Sequence, residues 1–204
     1  MGVDRSAVRQ IRAFNRTVTR RLGVLNERYL GRGAPVGALR AASVEIRPAR
    51  PRSAEARHCL EQYFAELASR FRGGFEPDTR GVGAAGHFMP PKGALLIVWL
   101  LGEPVGCGAV RTLEPGVGEI KRMWVSPAVR GLGVGRRLLE ALERVARGCK
   151  LRVVRLDTNA ALSEALRLYR SSGYREIDRF NDNPYAQHWF EKTLRRGCGQ
   201  RGGS

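Results

Sequence analysis

Hydrophobic positions recur at helical spacing in the first third of the chain. Between residues 5 and 30 an apolar residue stands at every third or fourth position, which predicts one amphipathic helix. Residues 53–71 repeat that spacing behind Ser53, a residue type that caps helix N-termini. A short run at residues 43–48 predicts a strand between the two helices, and the Gly- and Pro-rich residues 72–93 predict a loop.

Shorter apolar and alternating runs fill the rest of the chain and predict strands that alternate with helices. The predicted strands cover residues 94–102, 104–113, 118–126, 151–159, 174–177 and 188–194, and the predicted helices cover residues 133–147 and 162–172. A hairpin followed by β-α-β-α-β order favours helices on both faces of one sheet. The sequence therefore predicts an α/β fold, with a mixed β-sheet of six to seven strands flanked by helices and preceded by one amphipathic helix.

These elements divide the chain into three parts. Residues 1–42 hold the N-terminal amphipathic helix and a linker, residues 43–195 form the α/β domain, and residues 196–204 are predicted to be a disordered tail. A lone amphipathic helix needs a surface that covers its apolar stripe. We therefore expect the N-terminal helix to pack on the main domain or on a second copy, in a homodimer.

The net charge of the chain is unusual and bears on its function. The formal net charge is +17, and all but four of the 36 basic residues are arginine. Two explanations stay open: a surface that attracts polyanions, or a GC-rich coding sequence that writes surface cations as arginine. No apolar run reaches about 18 residues, so no transmembrane helix is expected. The N-terminal residues do not resemble a secretory signal, which favours the cytoplasm, and the scattered cysteines predict no metal site.

The stretch RMWVSPAVRGLGVGRRLLEAL, residues 122–142, places three alternating glycines between a predicted strand and a predicted helix. The first N–H groups of a helix have no partner within the helix, and the helix dipole favours negative charge there. Arg130 and Arg136 are placed to add charge-assisted hydrogen bonds. The stretch matches neither the P-loop nor the dinucleotide fingerprint. It predicts a phosphate or pyrophosphate ligand.

Two motifs carry a resemblance to a known family. RGLGVG, residues 130–135, matches R/Q-x-x-G-x-G/A, the acetyl-CoA pyrophosphate loop of the GNAT family of N-acetyltransferases. ALRLYRSSGY, residues 165–174, resembles the AxxLYxxxGF segment of that family, at the expected distance from the loop. Over about residues 43–195 the chain resembles this family. The resemblance implies the GNAT fold and an acetyl-CoA-dependent N-acetyltransferase.

The resemblance implies roles for the matching positions. The pyrophosphate of acetyl-CoA is expected at Arg130, Gly131, Leu132, Gly133, Val134, Gly135 and Arg136. Backbone groups of Met123 and Val125 are expected to pair with the pantetheine arm, beside a bulge near Val125. Tyr169 is expected to protonate the departing thiolate.

Glu119 is the candidate general base. It lies six residues before Val125, as the catalytic glutamate does in histone-acetylating members, and we expect partial burial to raise its pKa toward neutrality. The alternative is a strand carboxylate paired with Lys121 or an arginine. Many relatives have an asparagine where this chain has Leu162. Asn159 either substitutes for it in binding the cofactor or caps the following helix.

The acceptor site is expected in FNDNPYAQHWF, residues 180–190, which precedes the last predicted strand. The candidate residues there are Asp182, Asn183, Tyr185 and His188. Because a basic protein repels a basic acceptor, we expect a primary amine of a small molecule or of a neutral to acidic peptide.

Two other functions compete with the transferase. Residues 8–33 resemble the first helix of MarR-type regulators, which allows a nucleic-acid-binding regulator. No recognition helix or wing follows before the strand at residues 43–48, so nucleic acid is disfavoured and the helix is interpreted as a remnant or a dimerisation segment. The third candidate is an acetyl-CoA-binding module without turnover.

Overall fold

The computed structural model describes residues 43–71, 74–76 and 85–194. The elements are β1 (Val44–Ala49), α1 (Ala54–Arg70), β2 (Gly93–Leu100), β3 (Glu103–Glu114), β4 (Val117–Val125), α2 (Val134–Gly148), β5 (Val153–Thr158), α3 (Ser163–Ser171), β6 (Arg175–Ile177) and β7 (His188–Thr193). The predicted N-terminal helix, the MarR-like segment and the predicted tail at residues 196–204 lie outside the described residues.

The seven strands of the described ranges form one mixed sheet, in the order β1-β2-β3-β4-β5-β7-β6. Strands β1 to β4 are antiparallel neighbours, β4 and β5 are parallel with α2 as the crossover, and β7 joins β5 to β6 in antiparallel pairs. The prediction of an α/β fold with a mixed sheet is confirmed. Each described element begins and ends within about two residues of its predicted bounds, as expected from sequence patterns alone.

Helix α1 covers one face of the sheet. Ala56, Cys59 and Leu60 lie in one buried cluster with Ile97 of β2 and Trp124 of β4. The Ser53 hydroxyl accepts a hydrogen bond from the N–H of Ala56 at 3.4 Å, so the predicted N-cap is present.

Helix α2 covers the opposite face, where Leu138, Leu139 and Leu142 are almost completely buried. Each such leucine contributes about 2 kcal/mol through burial of apolar surface. The same cluster contains Tyr169 of α3 and Phe190 of β7. None of the helices in the described ranges is long and apolar enough to span a membrane.

An irregularity in β4 separates the two central strands. Between the pairs Cys107–Trp124 and Ala109–Lys121, β4 has one residue more than β3, and Arg122 within this bulge has a φ of 56°. Pairing of β4 with β5 extends only from Val117 to Glu119 on β4. Beyond Glu119 and Arg155 the strands part, and we call this gap the wedge.

Candidate active site

A cleft of about 420 Å³ lies where β4 ends, between α1 and α3. Its floor is formed by Met123, Trp124 and Val125, and Tyr169 and Tyr63 also line it. One wall is the glycine turn, which we define as residues 130–136. The turn contributes Arg130, Gly131, Gly133, Val134, Gly135 and Arg136 to the lining.

The glycine turn exposes the start of helix α2. Gly131 and Gly133 have φ angles of 79° and 73°, in the region that side chains disfavour, and a Cβ at either position would point into open space. Gly133 is the N-cap and provides no side-chain hydrogen bond to the first turn of α2. The N–H groups of that turn are therefore open to a ligand, and the helix dipole favours an anion there. The turn fits a pyrophosphate.

Arg130 is held by α1 and by β4. Its Nη2 lies 2.5 Å from Oε2 of Glu66, and its Nε donates to the carbonyl of Val125 at 3.0 Å. Trp124 Nε1 donates to the same Glu66 oxygen at 2.9 Å, and Arg70 Nη2 lies 2.9 Å from Glu66 Oε1. The Glu66 carboxylate therefore contacts three side-chain donors in the wall of the cleft. The sequence analysis missed it because its position in the helical repeat resembles that of any surface residue.

The remaining cofactor candidates surround the same space. Arg136 donates to the carbonyl and hydroxyl oxygens of Ser171 at the end of α3. Leu132, Met123 and Val125 are partly buried against the α2 side of the core. The bulge predicted near Val125 lies at Arg122 and Met123, slightly earlier in β4.

Tyr169 lies inside the cleft with 6% of its surface exposed. Its hydroxyl is 3.9 Å from Met123 Sδ. Burial raises the pKa of Tyr169 well above its ordinary value, and the negative charge of Asp157 adds to that rise. The phenol therefore stays protonated at neutral pH, as a proton donor must.

The pKa predicted for Glu119 is wrong. Burial does act to raise it, but Lys121 at 2.9 Å and Arg111 at 2.6 Å together outweigh burial and lower the pKa of Glu119. Glu119 is only 1% exposed, and Asn181 also donates to it at 3.2 Å. The alternative of an ion-paired strand carboxylate describes its surroundings, while its role as a base stays a prediction.

Both polar atoms of the Asn159 side chain make hydrogen bonds within the protein. Its Oδ1 accepts from the N–H of Ala161 at 2.8 Å, and its Nδ2 donates to the carbonyl of Tyr185 at 2.7 Å. The N-cap of α3 is Leu162, so Asn159 stabilises the preceding turn rather than capping the helix. These contacts give no support to the predicted role of Asn159 in cofactor binding.

The structure separates the four acceptor candidates. Asp182 is fully exposed and pairs with Arg179, and His188 Nδ1 lies 2.5 Å from Glu176 Oε1. Tyr185 accepts from the N–H of Glu76 at 3.0 Å, and its ring packs on Phe71 and Phe75. Asn183 donates to Asp157 Oδ2 at 2.8 Å.

Asp157 of β5 is a further candidate that the sequence analysis missed. Its carboxylate accepts hydrogen bonds from Asn181 and Asn183 at 3.0 and 2.8 Å. One signal is present in the sequence, since Asp157 is the single acidic residue of the predicted strand at residues 151–159. Its partners come from the segment before β7 and are not apparent from local patterns.

Comparison with known proteins gives a consistent result. A family model described as the acetyltransferase (GNAT) family matches residues 60–174, more than half of the chain. The chain is 41% identical over 96 residues to the IAA acetyltransferase of Azospirillum brasilense, a match that covers 47% of this chain and 61% of that protein. It is 36% identical over 95 residues to the uncharacterised N-acetyltransferase YjgM of Escherichia coli, covering 45% of this chain and 56% of that protein. The chain therefore spans about 60% of the length of these curated relatives.

Solved structures share the fold over most of the chain. A protein of Klebsiella pneumoniae, described as a proposed acyl-CoA N-acyltransferase, is 30% identical with a TM-score of 0.62, over 75% of this chain and 99% of that one. The structure of yncA from Salmonella typhimurium with its cofactor acetyl-CoA is 19% identical with a TM-score of 0.57, over 78% of this chain and 98% of that one. The second likeness concerns the fold alone.

Proposed function

Because the chain belongs to the acetyltransferase (GNAT) family, we propose that it is an acetyl-CoA-dependent N-acetyltransferase acting on a primary amine. The proposed reaction is direct attack in a ternary complex, within the domain predicted at residues 43–195. The observation that carries the proposal is one cleft lined both by the uncapped start of α2 and by the buried phenol of Tyr169. A fold neighbour described as holding acetyl-CoA supports the choice of cosubstrate.

The glycine turn is proposed to bind the pyrophosphate of acetyl-CoA. The first turn of α2, which Gly133 leaves without a side-chain cap, supports this role, and the helix dipole adds to it. Arg136 lies in the first turn of α2. Arg130 contacts the phosphate once its guanidinium exchanges the Glu66 carboxylate for that group. Backbone groups of Met123 and Val125 are proposed to pair with the pantetheine arm along the open edge of β4.

Tyr169 is proposed to donate the proton that the leaving group needs. Acetyl-CoA supplies an activated thioester, whose C–S bond breaks as the amine nitrogen forms a bond to the acetyl carbon. The raised pKa of Tyr169 keeps its hydroxyl protonated for the thiolate. The ammonium of the acceptor must lose a proton before attack, because its nitrogen has no free electron pair, and solvent or the candidate base Glu119 takes this proton. The nitrogen loses a second proton as the amide forms, and this proton restores the Tyr169 phenol.

The acceptor is proposed to be a small amine or a neutral to acidic peptide. The charge of +17 supports capture of polyanionic CoA and opposes approach of strongly basic acceptors. We further propose that the protein is cytoplasmic and that the segment at residues 1–42, predicted to be helical, contributes to a homodimer.

Calorimetric titration with acetyl-CoA, followed by a thiol-release assay on a panel of amines, tests the proposal. Micromolar binding with thiol release on one amine class is the expected result. Binding without release on any amine would favour an acetyl-CoA-binding module. No binding of acetyl-CoA would overturn the proposal.

A further inference from the structure

Asp157 lies in the wedge between β4 and β5, on the α1 side of the sheet. Glu119 and Arg155 are the last paired residues of the two strands and lie on the same face. Asp157 follows Arg155 by two residues, so its side chain points to that face as well. Only 7% of the side chain is exposed.

The contacts of Asp157 leave much of its charge without compensation. Oδ2 accepts from the amide groups of Asn181 at 3.0 Å and Asn183 at 2.8 Å, and these donors carry no charge. The Lys121 ammonium is 3.9 Å from Oδ1 of Asp157 but 2.9 Å from Glu119. A buried carboxylate is stabilised best by a cation in direct contact. Lys121 therefore pairs mainly with Glu119, and Asp157 is left able to bind another cation.

The charge of Asp157 also acts on the reacting end of the cleft. It contributes to the raised pKa of Tyr169, after burial, and it is among the smaller contributions to the raised pKa of Tyr63. Both tyrosines line the cleft. The charge of Asp157 therefore acts on the part of the cleft where Tyr169 lies.

We propose that the Asp157 carboxylate binds the ammonium group of the acceptor, and that Asn181 and Asn183 hold the carboxylate in position. This inference rests on the proposed acetyltransferase function. It assigns the acceptor end of the site to the α1 side of the wedge, opposite the side covered by α2.

The surroundings of Asp157 define the class of amine. Lys121, Arg111 and Arg155 lie on the same face, but each is paired with Glu119, Glu114 or Glu191. Asp157 therefore offers one carboxylate to one ammonium, and the net charge of +17 disfavours a second positive charge on the acceptor. The backbone N–H of Tyr185 donates to Asn183, and the Tyr185 ring lies 4.9 Å from Phe75 and 5.8 Å from Phe71. Aromatic rings beside an ammonium site suit an apolar body. The acceptor class is a primary monoamine with an apolar or aromatic skeleton.

The test uses the full chain with two probes, 2-phenylethylamine and spermidine, and three variants. Asp157→Asn keeps the shape and removes the charge, and Asp157→Glu keeps the charge. Asp178→Asn is the control because Asp178 is exposed in the loop that follows β6. Initial rates against amine concentration give KM and kcat, and calorimetry gives the acetyl-CoA affinity of each protein.

We expect the wild type to acetylate 2-phenylethylamine in preference to spermidine. Asp157→Asn should raise the KM for this amine about tenfold or more, since a charged hydrogen bond to the ammonium is lost. The affinity for acetyl-CoA should be unchanged. Asp157→Glu should give a KM between those of the wild type and Asp157→Asn, and Asp178→Asn should match the wild type.

Several results would overturn the inference. A KM for Asp157→Asn within twofold of the wild type would remove Asp157 from the acceptor site, and loss of acetyl-CoA binding in both Asp157 variants would make it a structural residue. Wild-type protein that binds acetyl-CoA but acetylates only spermidine, or neither amine, would refute the acceptor class. Wild-type protein that does not bind acetyl-CoA would instead refute the proposed function.

Discussion

The Arg130 guanidinium and the Glu66 carboxylate form an ion pair at the wall of the cleft, with 2.5 Å between Nη2 and Oε2. Glu66 belongs to α1 and Arg130 to the glycine turn, so the pair ties the two walls together. Arg70 extends the connection, since it pairs with Glu66 and with Glu164 of α3. An anion bound at the turn must compete with Glu66 for Arg130.

Glu66→Gln is therefore expected to tighten acetyl-CoA binding. The amide oxygen still accepts from Trp124, while the charge that competes with a pyrophosphate is gone. We expect the dissociation constant to fall severalfold, by about 1 kcal/mol, at low salt. Calorimetric titration measures it, with Glu61→Gln on the exposed side of α1 as the control. Weaker binding by Glu66→Gln would indicate that Glu66 organises the site instead.

Gly133→Asp is expected to abolish acetyl-CoA binding. The new carboxylate points into the open space above the start of α2, where it repels an anion, and the φ of 73° costs about 1–2 kcal/mol with a side chain. The control is Gly148→Asp, which adds the same charge at the other end of α2, also in open space. Unchanged affinity in Gly133→Asp would refute the pyrophosphate assignment.

Tyr169→Phe is expected to lower kcat and leave acetyl-CoA affinity within about twofold. Loss of a proton donor costs about a hundredfold in rate, whereas the hydroxyl makes only a long contact of 3.9 Å to Met123 in the protein. Thiol release at saturating substrate measures the effect.

Tyr174→Phe is the matched control for Tyr169→Phe. Tyr174 packs 5.9 Å from Tyr169, and its hydroxyl lies 3.1 Å from the buried Glu143. It should lose about 1 kcal/mol of stability and little rate. An unaltered kcat in Tyr169→Phe would exclude Tyr169 as the proton donor.

Local pattern was sufficient to predict most elements of the described chain. The helical repeat behind Ser53 and the glycines between β4 and α2 each act within a few residues, so the sequence shows them directly. Glu66 and Asp157 could not be found in this way. Glu66 is a common residue type in a helix, and Asp157 is uncommon in a strand. The role of each depends on partners 64 and 24 residues away, respectively, which only the fold reveals.

Glu119 shows the same limit for electrostatics. Burial was correctly expected to raise its pKa, but the result depends on Arg111, which only the pairing of β3 with β4 brings to 2.6 Å. Lys121, two residues away, was visible in the sequence as a partner. Whether the pKa of Glu119 rises or falls depends on burial and on both cations together. Their balance is known only once the fold is known.

Glu119→Gln is expected to destabilise the protein at neutral pH and to leave the shape of the pH–rate profile unchanged. The pKa of Glu119 is lower in the folded than in the unfolded state, so its ionisation stabilises the fold above the unfolded pKa. That contribution is lost as pH falls through the folded pKa. Because the carboxylate is fully ionised throughout the neutral range, it introduces no titration of rate there.

Unfolding by urea at pH 7 and pH 4, together with thiol release from pH 6 to 9, measures both effects. Removing one partner of a buried, hydrogen-bonded charge pair costs about 3 kcal/mol, and this difference from the wild type should shrink at the lower pH. Glu114→Gln is the control, since Glu114 is 54% exposed and pairs with Arg155 at 3.3 Å. If Glu119→Gln instead lost rate mainly at the low end of the pH range, Glu119 would be the general base despite its two cations.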